Sequence, residues 1–159
     1  MPDGNSIVFV MCSEKSPCAT YQLNLKTQEV SKIPGSDGLA VARVSPDGRY
    51  MTAYRPSRTM LYDFQSQQWS EFGSEFADGA FTWSRDSKSV YSHRKNGDQS
   101  GEVVRISVPD GKVEHVLDLK DITLGGYWPG WISLLPDDSP LLMINKSKQE
   151  IYRLDLEYR

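Results

Sequence analysis

The 159-residue chain is long enough for one domain with an apolar core, because a chain of this size buries roughly 70% of its unfolded surface. With 18 basic and 21 acidic residues and a net charge of −3, it lacks the basic surface of a typical nucleic-acid-binding protein. No apolar run reaches about 18 residues, and residues 1–5 lack the features of a signal peptide. We therefore expect no membrane span and no nucleic-acid contact from this segment.

A pair of cysteines, Cys12 and Cys18, flanks five residues that are typical of a hairpin loop. A disulfide requires Cα atoms within about 7 Å, a condition that opposed hairpin positions sometimes meet. Two free thiols in a reducing compartment are the preferred interpretation, and a hairpin disulfide in an exported protein is the alternative. The histidines, His93 and His115, are far along the chain, so neither a metal site nor a cofactor is expected.

A turn of the Pro-Asp-Gly type recurs four times, each time before an apolar segment. Proline presets φ at the first corner, aspartate can bond its own backbone, and glycine supplies a positive φ, so each copy predicts a hairpin. Successive copies are separated by 44, 39 and 51 residues, which agrees with the period of roughly 40 to 50 residues of a four-stranded propeller blade. The copies are Pro2-Asp3-Gly4, Pro46-Asp47-Gly48, Arg85-Asp86-Ser87 and Pro136-Asp137-Asp138.

A second repeated block supports the same division of the chain. In all four copies the first, third and fifth residues are apolar, which is the period-two pattern of a strand with one buried face. Short polar turns and further amphipathic runs follow, and no segment keeps helical spacing over ten or more positions. We predict an all-β fold with no helix longer than about two turns. The copies of this block are residues 21–25, 60–64, 104–108 and 152–156.

These blocks resemble the WD40-like propeller repeats of the TolB type, often called PD40 repeats. The resemblance covers essentially the whole chain and implies a β-propeller of four-stranded antiparallel blades. It also implies three settings: a periplasmic partner-binding propeller, the sensor part of a bacterial kinase or winged-helix regulator, or the gating propeller of a serine peptidase. The segments that carry it are Ser45-Pro46-Asp47-Gly48-Arg49, Trp83-Ser84-Arg85-Asp86-Ser87 and Glu150-Ile151-Tyr152-Arg153-Leu154-Asp155-Leu156.

We interpret residues 1–159 as one propeller domain or partial propeller, with repeat units of approximately 1–37, 38–77, 78–125 and 126–159. The pattern predicts 14 strands, or about three and a half to four blades, whereas a closed ring needs about four to eight full blades. We expect an incomplete ring or the C-terminal part of a larger propeller, covered by the remaining blades or by self-association. Side chains expected on the bare end faces are Ile7, Phe9 and Tyr21 at one end, and Leu142, Ile144, Tyr152 and Leu154 at the other.

Catalytic groups are sparse in the sequence. It contains no kinase signature, no Gly-x-Ser-x-Gly motif and no basic recognition helix, so we expect no enzymatic activity. His93 follows the predicted strand 89–92 and His115 lies on an outer strand, and solvated side chains are expected at both positions. The acidic pairs Asp137 with Asp138 and Asp118 with Asp121 lack the spacing of a calcium loop and are assigned to solvated turns.

The strongest binding candidates follow the long connection at 118–126. They are Tyr127, Trp128 and Trp131, aromatic residues of the kind that anchor binding partners. Packing between blades is the preferred interpretation for Trp131, as for Trp83, and a binding site is the alternative. We predict a noncatalytic recognition or sensor module for a protein or small-molecule partner. The alternative function is the propeller fragment of a serine peptidase or other hydrolase whose catalytic domain is absent from this chain.

Overall fold

A computed structural model describes residues 1–14, 16–55, 58–73, 81–95, 101–125 and 132–147. These residues form 13 β-strands and contain no helix, so the predicted all-β fold is confirmed. Within the same ranges there is accordingly no helix long and apolar enough to cross a membrane. Residues 150–156, which the sequence predicts as the third strand of the last blade, lie outside the described residues.

The first two sheets come from the first half of the chain. Blade 1 has the order β1-β2-β3, and blade 2 has the order β4-β5-β6-β7, with every neighbouring pair antiparallel. The strands are β1 (Ser6–Ser13), β2 (Ser16–Asn24), β3 (Val30–Lys32), β4 (Ala40–Val44), β5 (Tyr50–Arg55), β6 (Arg58–Asp63) and β7 (Gln68–Gly73).

Blade 3 repeats the arrangement of blade 2, with four antiparallel strands in sequence order, and two strands of blade 4 follow. β4 of blade 2 lies against blade 1 and against β8, and β12 lies against β8 and β9, so consecutive blades meet at their inner strands. The strands are β8 (Phe81–Trp83), β9 (Ser89–Lys95), β10 (Gly101–Ser107), β11 (Val113–Asp118), β12 (Ile132–Leu134) and β13 (Pro140–Leu142).

The repeated turns join the first two strands of blades 2, 3 and 4, as predicted. The residue before each turn donates its backbone N–H to the carbonyl of the first residue after it, in the pairs Ser45 to Tyr50 and Ser84 to Ser89, both at 2.9 Å. In blade 1 the terminal ammonium of Met1 donates to the Ser6 carbonyl at the equivalent place. β1 therefore corresponds to the second strand of a blade.

The apolar core lies between the blades, because the internal sheets, blades 2 and 3, bury both faces. Alternate residues of β10 show this: Val104 and Ile106 pack toward blade 2, whereas Val103 packs toward blade 4. A third cluster, with Met51 at its centre, joins blades 1 and 2. The clusters are Leu61, Phe72, Phe81, Val90, Val104 and Ile106; Tyr91, Val103, Leu119 and Ile132; and Ile33, Met51 and Tyr62.

The outward faces of the end blades expose apolar side chains, although one predicted face is shifted by one residue. Val8 packs toward blade 2, so Ile7, which is 48% exposed, points the other way, as expected. In blade 4, Leu142 packs against blade 3 and Leu141 is exposed instead. The prediction for Leu142 is therefore wrong, because strand alternation places its neighbour on the outer face.

The hairpin of blade 1 is closed by a disulfide between Cys12 and Cys18, whose Cα atoms are 4.0 Å apart. The structure thus has the second of the two arrangements considered for these cysteines, and no other cysteine exists in the sequence. The reason is the register of β1 with β2: Met11 lies opposite Ala19, so the next residue along each strand toward the loop is a cysteine. A register shift between Met11 and Ser13 accompanies the bond.

Candidate functional site

The inner strands of three consecutive blades converge on one open cavity of about 280 Å³. β4 contributes Arg43 and Val44, β8 contributes all three of its residues, and β12 contributes Ile132 and Ser133. Phe81 and Ile132 are almost fully buried and form an apolar floor. We call this cavity the inner-strand pocket.

The polar groups of the pocket occupy equivalent positions in the three blades. Arg43, Thr82 and Ser133 are each the third residue before the repeated turn, and each lies between two apolar neighbours. Their common position therefore brings one polar side chain per blade to the same place.

Hydrogen bonds across the blade interfaces fix the pocket walls. The Trp83 indole N–H donates to the Arg43 carbonyl at 2.9 Å, which ties blade 3 to blade 2. The Thr82 hydroxyl donates to the Ile132 carbonyl at 2.6 Å, which ties blade 3 to blade 4. Trp83 also packs against the core between blades 2 and 3, the kind of position expected for it from the sequence. Both side chains are therefore held in place before any ligand arrives.

Arg43 is the charged residue of the pocket. Its side chain is exposed, its Nη1 donates to the Ala42 carbonyl at 3.1 Å, and no acidic side chain of the described ranges forms an ion pair with it. A register shift between Ala40 and Arg43 inserts one extra residue in β4, and Val41 there has φ of 54°. Such bulges bend a strand and often lie beside functional side chains.

A second polar cluster lies on blade 3, away from the pocket. The buried Glu102 carboxylate accepts hydrogen bonds from Arg94 Nε at 2.9 Å and from His115 Nδ1 at 2.8 Å. The bond from His115, and then those from Arg94, hold the pKa of Glu102 below its ordinary value. The three side chains cross β9, β10 and β11, so they clamp the blade together.

The expected environments of both histidines need correction. His93 lies within β9 and is only 6% exposed, because its imidazole occupies the space beside Gly101 of the neighbouring strand β10: a Cβ at Gly101 would come within 2.1 Å of the imidazole Nε2. His115 is half-exposed and paired with Glu102 instead of being fully solvated. The sequence could not show this pairing, because the two residues are 13 positions apart and depend on the register of β10 with β11.

The predicted aromatic site, Tyr127, Trp128 and Trp131, lies outside the described residues and stays a prediction. Trp131 directly precedes Ile132, a pocket residue, in the sequence. Asp138 lies in its predicted turn, where its Oδ1 accepts a hydrogen bond from the Arg85 backbone N–H at 3.1 Å. No group of three or more metal-ligating side chains occurs among the described residues.

Sequence reasoning missed the inner-strand pocket, although a signal was present. Aligning the short inner strands shows apolar–polar–apolar triplets at 42–44, 81–83 and 132–134. A polar residue at the same column of three otherwise apolar strands indicates a shared polar lining. Which residues meet across the blades could not be read from the sequence, because the cavity depends on how the blades pack.

The fold and pocket define a β-propeller architecture, and solved structures agree. TolB from Acinetobacter baumannii superimposes with a TM-score of 0.64 and 22% identity over 89% of this chain and 35% of that chain. A putative TolB from Agrobacterium tumefaciens gives a TM-score of 0.63 and 16% identity over 90% of this chain and 55% of that one. The β-propeller domain of the Trilobed protease from Pyrococcus furiosus gives a TM-score of 0.56 and 15% identity over 71% of this chain and 39% of that one.

These similarities confirm a TolB-like propeller fold. The chain spans about a third to just over half of the length of these three solved structures. Neither the protein-family models nor the curated proteins give a match to this sequence. Membership of the PD40 repeat family therefore stays a prediction.

Proposed function

We propose that this chain is a noncatalytic recognition module of the β-propeller type, which binds a protein or small-molecule partner at the inner-strand pocket. One observation carries the proposal: three blades each contribute a polar side chain to a single open cavity with an apolar floor. Cavities that combine apolar walls with a few convergent polar groups are the usual form of a binding site.

The chemistry of the lining favours binding over catalysis. The described residues that line the pocket include the hydroxyls of Thr82 and Ser133 but no histidine, carboxylate, lysine or cysteine. A hydroxyl nucleophile needs an adjacent general base and an orienting group. The Thr82 hydroxyl is moreover engaged with the Ile132 carbonyl. His115, the half-exposed imidazole, is bound to Glu102 on blade 3.

A fragment screen by NMR tests the proposal. We expect neutral and charged fragments to shift the Trp83 indole signal, assigned with Trp83→Phe, more than signals of the outer strands. Ser133→Trp should fill the pocket and abolish these shifts, whereas Ser31→Trp on the exposed strand β3 should leave them intact. Fragment binding that is equally strong in Ser133→Trp would contradict the proposed location, and fragments of every charge failing to bind would contradict the function.

The aromatic residues Tyr127, Trp128 and Trp131 extend the proposal. Large amphipathic side chains contribute most of the binding energy at many interfaces, and this stretch runs directly into β12. Alanine substitution at Trp131 should weaken fragment binding at the pocket without changing the melting temperature. A loss of stability with unchanged binding would assign Trp131 to packing between blades.

The alternative function is the propeller of a serine peptidase or another hydrolase. Its support is the fold similarity to the propeller domain of the Trilobed protease. The activity assay that separates the two functions is turnover of generic ester and peptide substrates by the purified chain. We expect none, and turnover that is abolished by His93→Ala would contradict the noncatalytic function. A nucleophile-elbow domain in the flanking reading frame would favour the peptidase.

A further inference from the structure

We propose that the inner-strand pocket binds a monocarboxylate with an apolar body, and that Arg43 is the residue that recognises the carboxylate. This inference rests on the proposed function, since it names the ligand class of the same pocket. It is supported by the charge at the pocket, by the shape and chemistry of its walls, and by the way Arg43 is held.

The positive charge of the pocket favours an anionic ligand. Arg43 is the only charged residue among the described lining residues, and its guanidinium meets no carboxylate within those ranges. Four other arginines are ion-paired: Arg49 with Asp63, Arg58 with Glu71, Arg94 with Glu102 and Arg105 with Glu114. A guanidinium presents a planar fork of N–H donors that matches a carboxylate with two parallel hydrogen bonds.

The apolar residues of the pocket walls favour a ligand in which the anionic group is attached to an apolar part. Val44, Pro46 and Trp83 are the apolar lining residues that stay partly exposed, whereas Phe81 and Ile132 are almost fully buried, so a fully hydrated inorganic ion would leave the surface of these three residues in water. A cavity of about 150 Å³ admits benzene, so the 280 Å³ here has room for one ring and a carboxylate. It is slightly smaller than the pockets of roughly 300 to 1,000 Å³ that bury drug-sized molecules, so it has room for one such ring and carboxylate or for the last residue of a peptide.

The geometry of β4 holds Arg43 in position. Its Nη1 donates to the Ala42 carbonyl, which belongs to the bulged part of the strand. Its own carbonyl accepts the Trp83 N–H, so the backbone of Arg43 is tied to the opposite wall. The side-chain contact uses one N–H of the fork, which leaves further donors of the guanidinium for a ligand.

A single carboxylate fits better than a phosphate. Phosphate groups carry up to two charges and are commonly bound by several backbone N–H groups or several cations. The described lining offers one cation and the Ser133 hydroxyl, because the Thr82 hydroxyl already donates its hydrogen to the Ile132 carbonyl. The carboxylate can come from a free organic acid or from the C-terminal residue of a peptide, and the shared chemistry is the same in both cases.

The test compares acids with their neutral amides on the whole chain. Phenylacetate and phenylacetamide are titrated while the Trp83 indole NMR signal is followed, and the tripeptide Ala-Ala-Phe is compared with its C-terminal amide in the same way. We expect each acid to bind at least about tenfold more tightly than its amide, the size expected for hydrogen bonds to a charged group. Tighter binding of the peptide acid would identify a peptide as the source, and tighter binding of phenylacetate a free acid.

Variants assign the effect to Arg43. Arg43→Gln should remove the preference for acids, and Arg43→Lys should keep part of it, since lysine retains the charge without the fork. Arg58→Gln, which deletes an exposed arginine of β6, is the matched control and should change nothing. Equal binding of acid and amide, or a preference that survives Arg43→Gln, would overturn the inference while leaving the proposed function intact. Failure of both acids and amides to bind would overturn both.

Discussion

The third residue of each repeated turn shows how one position is adapted in successive blades. All four have positive φ: 71° at Gly4, 75° at Gly48, and 62° at both Ser87 and Asp138. Ser87 accepts a hydrogen bond from the Asp47 backbone N–H at 3.0 Å, which links the turn of blade 3 to that of blade 2. Asp138 makes the equivalent contact to the turn of blade 3. A polar residue here connects neighbouring blades.

Position 48 requires glycine for two reasons: its φ is positive, and a side chain there would collide with a neighbouring residue. A Cβ there would lie 3.0 Å from Pro2 Cδ, whereas a Cβ at Gly4 would meet nothing within 4 Å. We expect Gly4→Ala to lower the free energy of unfolding by about 1 to 2 kcal/mol, the cost of a positive φ. Gly48→Ala should lower it further, because Pro2 must also move. Urea unfolding of the two variants measures the difference, and equal losses would contradict the crowding at Pro2.

Val41 is a β-branched residue with φ of 54°, a conformation that costs of order 1 to 3 kcal/mol. Because this residue is also 36% exposed, Val41→Gly should leave the melting temperature unchanged or raise it. The matched control is Val30→Gly in β3, where the side chain is also exposed and glycine should cost roughly 0.5 to 1 kcal/mol. Calorimetry compares the melting temperatures of the Val41→Gly and Val30→Gly variants. Equal destabilisation of both would show that the backbone at Val41 is not strained.

At the scale of the blade, the Arg94–Glu102–His115 cluster predicts a pH dependence. In the folded protein, the hydrogen bonds from His115 and Arg94 lower the pKa of Glu102. The stabilisation that the Glu102 carboxylate contributes is therefore fully present above the unfolded glutamate pKa of about 4.3, and it is lost as pH falls through the folded pKa. Glu102→Gln should therefore cost about 1 to 3 kcal/mol at neutral pH, and its difference from wild type should shrink in acid.

Urea unfolding at neutral and acid pH measures this difference. The control is Glu114→Gln, which removes a more exposed carboxylate paired with Arg105 and should destabilise the protein less than Glu102→Gln at neutral pH. A Glu102→Gln defect of the same size at both pH values would show that the carboxylate charge is not what stabilises blade 3.

The disulfide is the second element-scale prediction. Cross-linking a short loop restricts the unfolded chain, and for the loop between Cys12 and Cys18 this corresponds to roughly 2 kcal/mol. Reduction of the disulfide, or the paired substitution Cys12→Ala with Cys18→Ala, should lower the melting temperature. Urea unfolding should show the corresponding loss in the free energy of unfolding. Alkylation of both cysteines in the native protein without a reductant would contradict the bond.

Strand and turn positions could be predicted from the sequence because they depend on local patterns. The period of two in the 104–108 block and the turn residues at 46–48 determine local conformation directly. The pocket, the burial of His93 and the Glu102 pairing could not be predicted, because each depends on residues brought together by register or by blade packing. The face of Leu142 was misassigned for the related reason that one step along a strand reverses its direction.

At the scale of the whole molecule, the described blades form an open arc with two apolar ends. Ile7 and Met11 on blade 1 are 48% and 52% exposed, and Leu141 and Met143 on blade 4 are 52% and 57% exposed. Burying a fully exposed side chain of this kind is worth about 1.5 to 3 kcal/mol, and these four are already about half buried, so covering both faces would add about half of that per residue. The total is a substantial fraction of the stability of a typical domain. The isolated chain should therefore self-associate or be only marginally stable.

Sedimentation velocity over a micromolar concentration series, combined with thermal unfolding, tests the open arc most directly. We expect the average mass to rise with concentration for the wild type, and the double variant Ile7→Lys with Leu141→Lys to remain monomeric. Val113→Lys, on the internal blade 3, is the control and should still associate. A wild-type chain that stays monomeric and melts cooperatively at these concentrations would show that the blades close on themselves and that the open arc is wrong.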